Sequence, residues 1–504
     1  MKRILAILLC VLMLASVLVA CNNTTEESKP GNTSTGTTDV SSEESTVRQL
    51  FDGIEKVGGD GELELVFLVG GTEYSERYAS KEIGAEELND ELINDAVYNR
   101  NALVEEYHGV NILDYKTTTN GEMKSKLETQ FGAALDTYQI VLPIMNDAAG
   151  YAIQDYFYDL LGDEVSPYLD LSHEWWDQKA CTDLTIGGRL FFTTGYMSIL
   201  DNECTHCFVF NNGLITEVGL ESPYELVKNM QWTLDKMLSM AKEVTKDSDG
   251  VSGMGHGDTY GAWINSGMFN SIFLGTGQRL ITKDENDLPI LSIGSVDSKN
   301  MISKIAPIAG SDDVLIIDQI TSYSPFADVW AFATDAVANK RALFRSIALT
   351  DITELSAYDC DYGVLPAPLA DTNQDRYYCA VSTVLTPGIA IPTTNPDPKT
   401  AALVLAAMGE ASTDTLNYSY YEVLLKLRKA NEKSAEMLDI IFENRVYDLG
   451  VVFGNTWGNL NQLLGVGNGI SANGDNNFES YFGQYEESIK TAIQKTVDAF
   501  EALP

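Results

Sequence analysis

The chain is 504 residues long, 44% apolar and 10% aromatic, enough to bury the cores of two or more domains. Its 73 acidic residues against 33 basic ones give a formal charge of −40. A surface this acidic repels phosphate backbones and anionic lipid heads, so nucleic-acid binding is excluded, while a neutral solute meets no such barrier.

At the start of the chain, Lys2 and Arg3 lead into an apolar run that ends at Leu18-Val19-Ala20-Cys21. The run is short for a spanning helix and closes on small residues, which is the pattern of an export signal over residues 1–20. The last four residues resemble the bacterial lipobox, which implies cleavage before Cys21 and a lipid on its thiol. Residues 21–59 are rich in Thr, Ser, Glu and Gly and read as a flexible tether. Such a tether spans on the order of 35 Å.

From Leu63 the pattern changes. Residues 63–69 predict a strand, 86–107 a helix stopped by Gly109, 110–113 a strand, 122–134 a helix and 138–142 a strand ended by Pro143. Strand and helix in alternation are the unit of a parallel α/β sheet, whose ligands sit in loops beyond the strand C-terminal ends. Residues 189–192 and 207–211 predict two more strands. A capping box at Ser222-Pro223-Tyr224-Glu225 opens one helix and Thr233 another. A Gly-rich stretch at 247–261 follows. Further on, 334–346 predicts a helix, 361–366 a strand, 384–392 an extended run, 400–408 and 421–430 helices, and 479–502 a long amphipathic helix.

Several short stretches, taken in order, resemble the extracellular sugar-binding lipoproteins of ABC importers (family 1-like). They include Arg100-Asn101-Ala102-Leu103, Asp170-Leu171-Ser172-His173-Glu174-Trp175-Trp176-Asp177, Trp232-Thr233-Leu234-Asp235-Lys236, Asp361-Tyr362-Gly363-Val364-Leu365-Pro366-Ala367-Pro368 and Lys433-Ser434-Ala435-Glu436-Met437. The resemblance implies a two-lobed, periplasmic-binding-protein-like α/β fold, each lobe a mainly parallel sheet flanked by helices, joined by a hinge. Residues 60–198 with 386–435 would form the N-terminal lobe, and 199–385 with 436–504 the C-terminal one. Chain crossings are expected near 194–202, 382–388 and 430–447. It also implies capture of a carbohydrate and its delivery to membrane permease subunits, with the chain lipid-anchored outside the cell. One departure is Cys204-Thr205-His206-Cys207 just past the first crossing, where a disulfide would stiffen the hinge. With Cys21 reserved for lipid and Cys10 in the signal, Cys181, Cys204, Cys207, Cys360 and Cys379 remain; the odd number leaves at least one unpaired or bonded outside the chain.

A sugar offers hydroxyls and an apolar C–H face, so its site needs aromatic plates with carboxylates and amides. The loop after the first strand supplies Glu73, Tyr74 and Arg77, the loop after the third Asn146 and Asp147, and the first crossing Asp201. The aromatic candidates include Trp263, Trp330 and Trp457. Trp263 follows the Gly-rich stretch, and Trp457 lies among small and polar residues in Gly454-Asn455-Thr456-Trp457-Gly458-Asn459; core packing is the rival reading for both. Asp247-Ser248-Asp249-Gly250 with Asp258 has part of a calcium-loop spacing but lacks its terminal glutamate, so a plain turn is preferred. No metal or cofactor is expected. HExxH, GxSxG and GxxxxGK[ST] are all absent, which argues against the enzymes they mark. A carboxylate-pair glycoside hydrolase leaves no local signature and stays the alternative, together with a binder of peptide or another polar solute.

Overall fold

The computed structural model describes residues 50–70, 78–423 and 432–503. Cys21, the export signal and the loop residues Glu73, Tyr74 and Arg77 lie outside them. Residues 50–59, read above as the end of the tether, are packed: Phe51 is buried against Tyr107, and its amide donates to Glu410 Oε2 at 3.1 Å. The apolar residues at 50, 51, 54 and 57 account for this.

The first sheet is built from β1 (Leu63–Val69), α1 (Leu92–His108), β2 (Val110–Lys116), α2 (Asn120–Gly132), β3 (Ile140–Leu142) and α3 (Met145–Ile153). Its strands run parallel in the order β2-β1-β3. Central β1 buries Leu65, Phe67, Leu68 and Val69, the near-continuous apolar run of a strand covered on both faces. Gly109 ends α1 with φ of 71° and donates its amide to Glu105. A side chain there is excluded twice over, by the left-handed backbone and by the Gly59 carbonyl, 2.0 Å from where a Cβ would stand.

The second sheet holds β4 (His206–Asn211), β5 (Tyr260–Ile264), β6 (Val314–Ile316), β7 (Ala342–Ala348) and β8 (Tyr362–Leu365), in the order β8-β4-β7-β5-β6. Helix α4 (Leu234–Val244) packs on β5; α5 (Met268–Gly275) follows β5, and α6 (Val329–Ala338) precedes β7. The helix expected over 334–346 is therefore two elements. Helix α6 stops at Asn339, Lys340 takes φ of 59°, and the chain turns into β7. Every residue of β7 is buried. A strand buried on both faces has no alternation, so its apolar run cannot be told from a helix by period.

Two passages link the sheets. Residues 195–206 leave the first sheet for β4, and residues 387–392 return, bridging antiparallel to β3 at Val141–Ala390 and to Thr193 at Ile389. The two passages are pinned together where Ser382 N donates to the Cys204 carbonyl at 2.9 Å and Thr205 bridges Val381. A third passage enters alongside, with β9 (Cys379–Ala380) pairing parallel to β10 (Arg445–Val446). After the return, α7 (Pro398–Ser412) packs on α1, and the chain closes with α8 (Phe478–Glu501). Cys204 and Cys207 are both buried thiols and are not bridged. Burial pushes both thiols well up from their usual range, which leaves them poor nucleophiles.

Candidate functional site

A cavity of about 570 Å³ opens where the two sheets meet. Its floor is the crossing strand, residues 380–385. One wall is the C-terminal end of β7, from Arg345 to Ala348, with Asp351 and Glu354 just beyond. Asn270 and Ser271 of α5 and the start of α6, with Asp328 and Trp330, complete that side. Tyr78, from the segment after β1, reaches in from the opposite side, and its hydroxyl lies 3.4 Å from Asp351 Oδ1. This is the position the strand-end rule assigns to ligand in open α/β sheets.

The wall is held by a chain of polar contacts. Buried Arg345 donates from Nη1 to Thr334 Oγ1 at 2.8 Å, and its Nη2 pairs with Asp351 at 3.4 Å. The Thr334 hydroxyl donates to Glu354 at 2.9 Å. Asp328 caps α6 by accepting from Ala331 N at 2.8 Å, which fixes where Trp330 starts. Trp330 itself is half-buried. His206 Nδ1 lies 2.6 Å from Ser271 Oγ, and burial pulls its pKa down to about 4, so the ring is neutral at physiological pH.

Two groups on this surface lack partners among the described residues. Asn270 is 8% exposed; its Nδ2 donates to the Asn461 carbonyl, yet its Oδ1 accepts nothing. Thr383 is 2% exposed, and its Oγ1 is likewise unpartnered. Buried polar atoms are nearly always paired, so two orphans lining one cavity mark a place where a polar solute would complete the bonding.

The residues named from sequence fall elsewhere. Asn146 and Asp147 lie in the first turn of α3. Asn146 is buried, with both side-chain polar atoms unpartnered, and its amide donates to the Thr383 carbonyl at 3.2 Å, behind the cavity floor. Asp201 sits at the first passage but points to Arg445, 3.2 Å away, and not into the cavity. Arg445 also pairs with Asp177 at 2.8 Å, and the Tyr447 hydroxyl donates to Asp177 at 2.7 Å. Burial pushes Asp201 up to about 7, because the one guanidinium that opposes it is shared with Asp177.

Neither committed tryptophan reaches the cavity. Trp263 is fully buried in the middle of β5, its ring edge-on to Phe332 at 5.5 Å. Trp457 is 0% exposed, stacks on Phe453 at 4.9 Å and donates Nε1–H to Thr496 of α8 at 2.9 Å. Small and polar neighbours marked the backbone around Trp457 correctly as a turn but say nothing of where the ring points. Trp330 fills the aromatic role at the cavity. Sequence reasoning passed over Asn270, Arg345 and Asp351 because 334–346 read as one helix, which hid the strand end at Ala348.

Asp247, Asp249 and Asp258 do converge, with carboxylate oxygens within 4.8 Å of one another. Asp258 accepts from the amides of Ser248, Asp249 and Gly255 at 2.6, 2.9 and 2.8 Å, which is the bonding of a turn.

No protein-family model matches the sequence, and no curated protein does. Solved structures do match the fold. An ABC substrate-binding protein from Listeria monocytogenes, solved with cycloalternan, superposes at a TM-score of 0.53 with 13% identity, over 85% of this chain and 99% of that one. A cyclo/maltodextrin-binding protein complexed with maltotetraose gives 0.52 and 12%, over 87% and 96%. UgpB from Mycobacterium tuberculosis, in complex with glycerophosphocholine, gives 0.52 and 14%, over 80% and 96%. The chain has the two-lobed, periplasmic-binding-protein-like α/β fold. All three matched structures are of binding proteins. No helix among the described residues is long and apolar enough to cross a membrane.

Proposed function

We propose that this chain is the solute receptor of an ABC importer and captures a carbohydrate in the cleft between its lobes. The observation that carries the reading is the cavity at the lobe crossing, where half-buried Trp330 stands near the unpartnered acceptor of Asn270 and the hydroxyl of Thr383. An aromatic face for C–H groups with fixed polar atoms for hydroxyls is what a sugar needs. The saccharide ligands of two structural neighbours, maltotetraose and cycloalternan, support the same class. Capture would work by population shift: a solute touching both lobes favours the closed arrangement, and the closed shape is what permease subunits recognise. The lobes would follow the segments 60–198 with 386–435, and 199–385 with 436–504. Residues 1–20 would direct export, Cys21 would carry the lipid at the outer face of the cytoplasmic membrane, and the tether would give reach.

The test is a thermal-melt screen of the purified chain against mono- and oligosaccharides, with product analysis. A saturable rise in melting temperature with intact sugar is expected. Cleaved sugar would instead identify a glycoside hydrolase, and a response confined to peptides would move the ligand class.

A further inference from the structure

The cavity's charge goes further than its shape. Three carboxylates line it, Asp328, Asp351 and Glu354, against a single guanidinium, Arg345. Arg345 is 1% exposed at its side chain and already engaged by Thr334 and Asp351, so it offers no group to an incoming anion. His206 adds no charge near neutral pH. The cleft therefore holds a formal charge of −2 inside a chain whose total is −40. Low-dielectric walls focus such a field, raise the local concentration of cations and repel anions. Closing the lobes would also take carboxylates out of water, which is costly for a charge that meets no counter-charge. A neutral saccharide leaves that cost in place; an ammonium group offsets it. Trp330 lines the same cavity as Asp328, and an indole face is the best side-chain surface for a cation. The orphan atoms of Asn270 and Thr383 independently mark the cavity as a place for a polar ligand.

Resting on the carbohydrate reading, we propose that the captured solute is a cationic saccharide, one that bears at least one primary ammonium group. Phosphorylated sugars and uronic acids are excluded by the same field.

The test uses calorimetric titration of the purified chain at pH 6, where amino-sugar amines are protonated. The probes are β-1,4-linked glucosamine, N-acetylglucosamine and glucose oligomers from one to four units, which differ only at C2, together with malto-oligosaccharides. A glucosamine oligomer should bind at least tenfold tighter than its acetylated and neutral counterparts, and the advantage should shrink as sodium chloride is raised. Asp328→Asn keeps an N-capping residue on α6 and should narrow the amine-to-neutral ratio several-fold. A neutral or acetylated sugar that binds as tightly as any amine would overturn the charge inference and leave the carbohydrate reading standing. Binding of no saccharide at all would overturn both. An unchanged ratio in Asp328→Asn, with amine preference intact in the parent, would remove Asp328 from the account.

Discussion

Trp330 and Trp457 exchange roles between sequence and structure, and the difference is testable at each. Trp457 is enclosed by Phe453 and Thr496, so Trp457→Ala should cost about 3–5 kcal/mol of stability through the cavity it leaves. Its effect on ligand affinity should follow only from that loss of fold, as thermal melts and titrations of the same sample would show. Trp330→Ala should leave the melting temperature nearly unchanged. What the sequence carries at Trp457 is backbone class, because Gly458 and Asn459 take φ of 69° and 59°. Ring direction depends on α8, which packs from 39 residues away, and no local pattern encodes that.

Asp201 makes a second residue-scale case. Its pKa of about 7 in the fold lies above the ordinary 3.9 of an unfolded chain, so the fold holds the proton more tightly. The stability this contributes is complete below pH 4 and is lost as pH rises through 7. Asp448, pushed up to about 6 by burial, has the same sign. His108 and His206, pulled down to about 4 by burial, oppose it below pH 6.5 only. Between pH 6.5 and 8 the carboxylate effect stands alone, so the melting temperature should fall across that window. In Asp201→Asn the fall should flatten. If the variant keeps the parent's slope in a calorimetric melt series, Asp201 is not the group responsible.

Among elements, the passages between lobes depend most on paired charge. Arg445 in β10 meets Asp177, which caps the helix beginning at Gln178, and Asp201, at the end of the first passage. Removing one member of a buried ionic group strands the others, so Arg445→Ala should destabilise the chain by about 3–5 kcal/mol, read from urea unfolding. Substituting Asp201 alone should cost less, because Arg445 keeps Asp177. The helices and parallel strands of the first sheet were legible because they obey period and capping rules; α8 matches its expected span to within one residue at each end. Strand β7 was not legible. It is buried throughout, and burial on both faces erases the alternation that distinguishes strand from helix. That one misreading displaced most of the candidate site, since Arg345, Ser346 and Asp351 lie on or just after β7.

At the scale of the whole molecule, the two-lobed fold was legible from the order of weak stretches, each too short to carry the inference alone. The ligand surface was not, because its residues come from β7, α5, α6, the crossing strand and Tyr78, which only the folded chain brings together. Net charge is the one whole-molecule property that sequence and site share: both are acidic, and both predict that anionic solutes are rejected. The account stands on a saccharide held against Trp330 in the cleft between lobes. Calorimetric titration of the parent chain and of Trp330→Ala, with the same saccharide panel, tests this most directly. The account predicts one-to-one binding of at least one saccharide to the parent and at least tenfold weaker binding to Trp330→Ala. Equal affinity in the two proteins, or no binding of any saccharide to the parent, would contradict it.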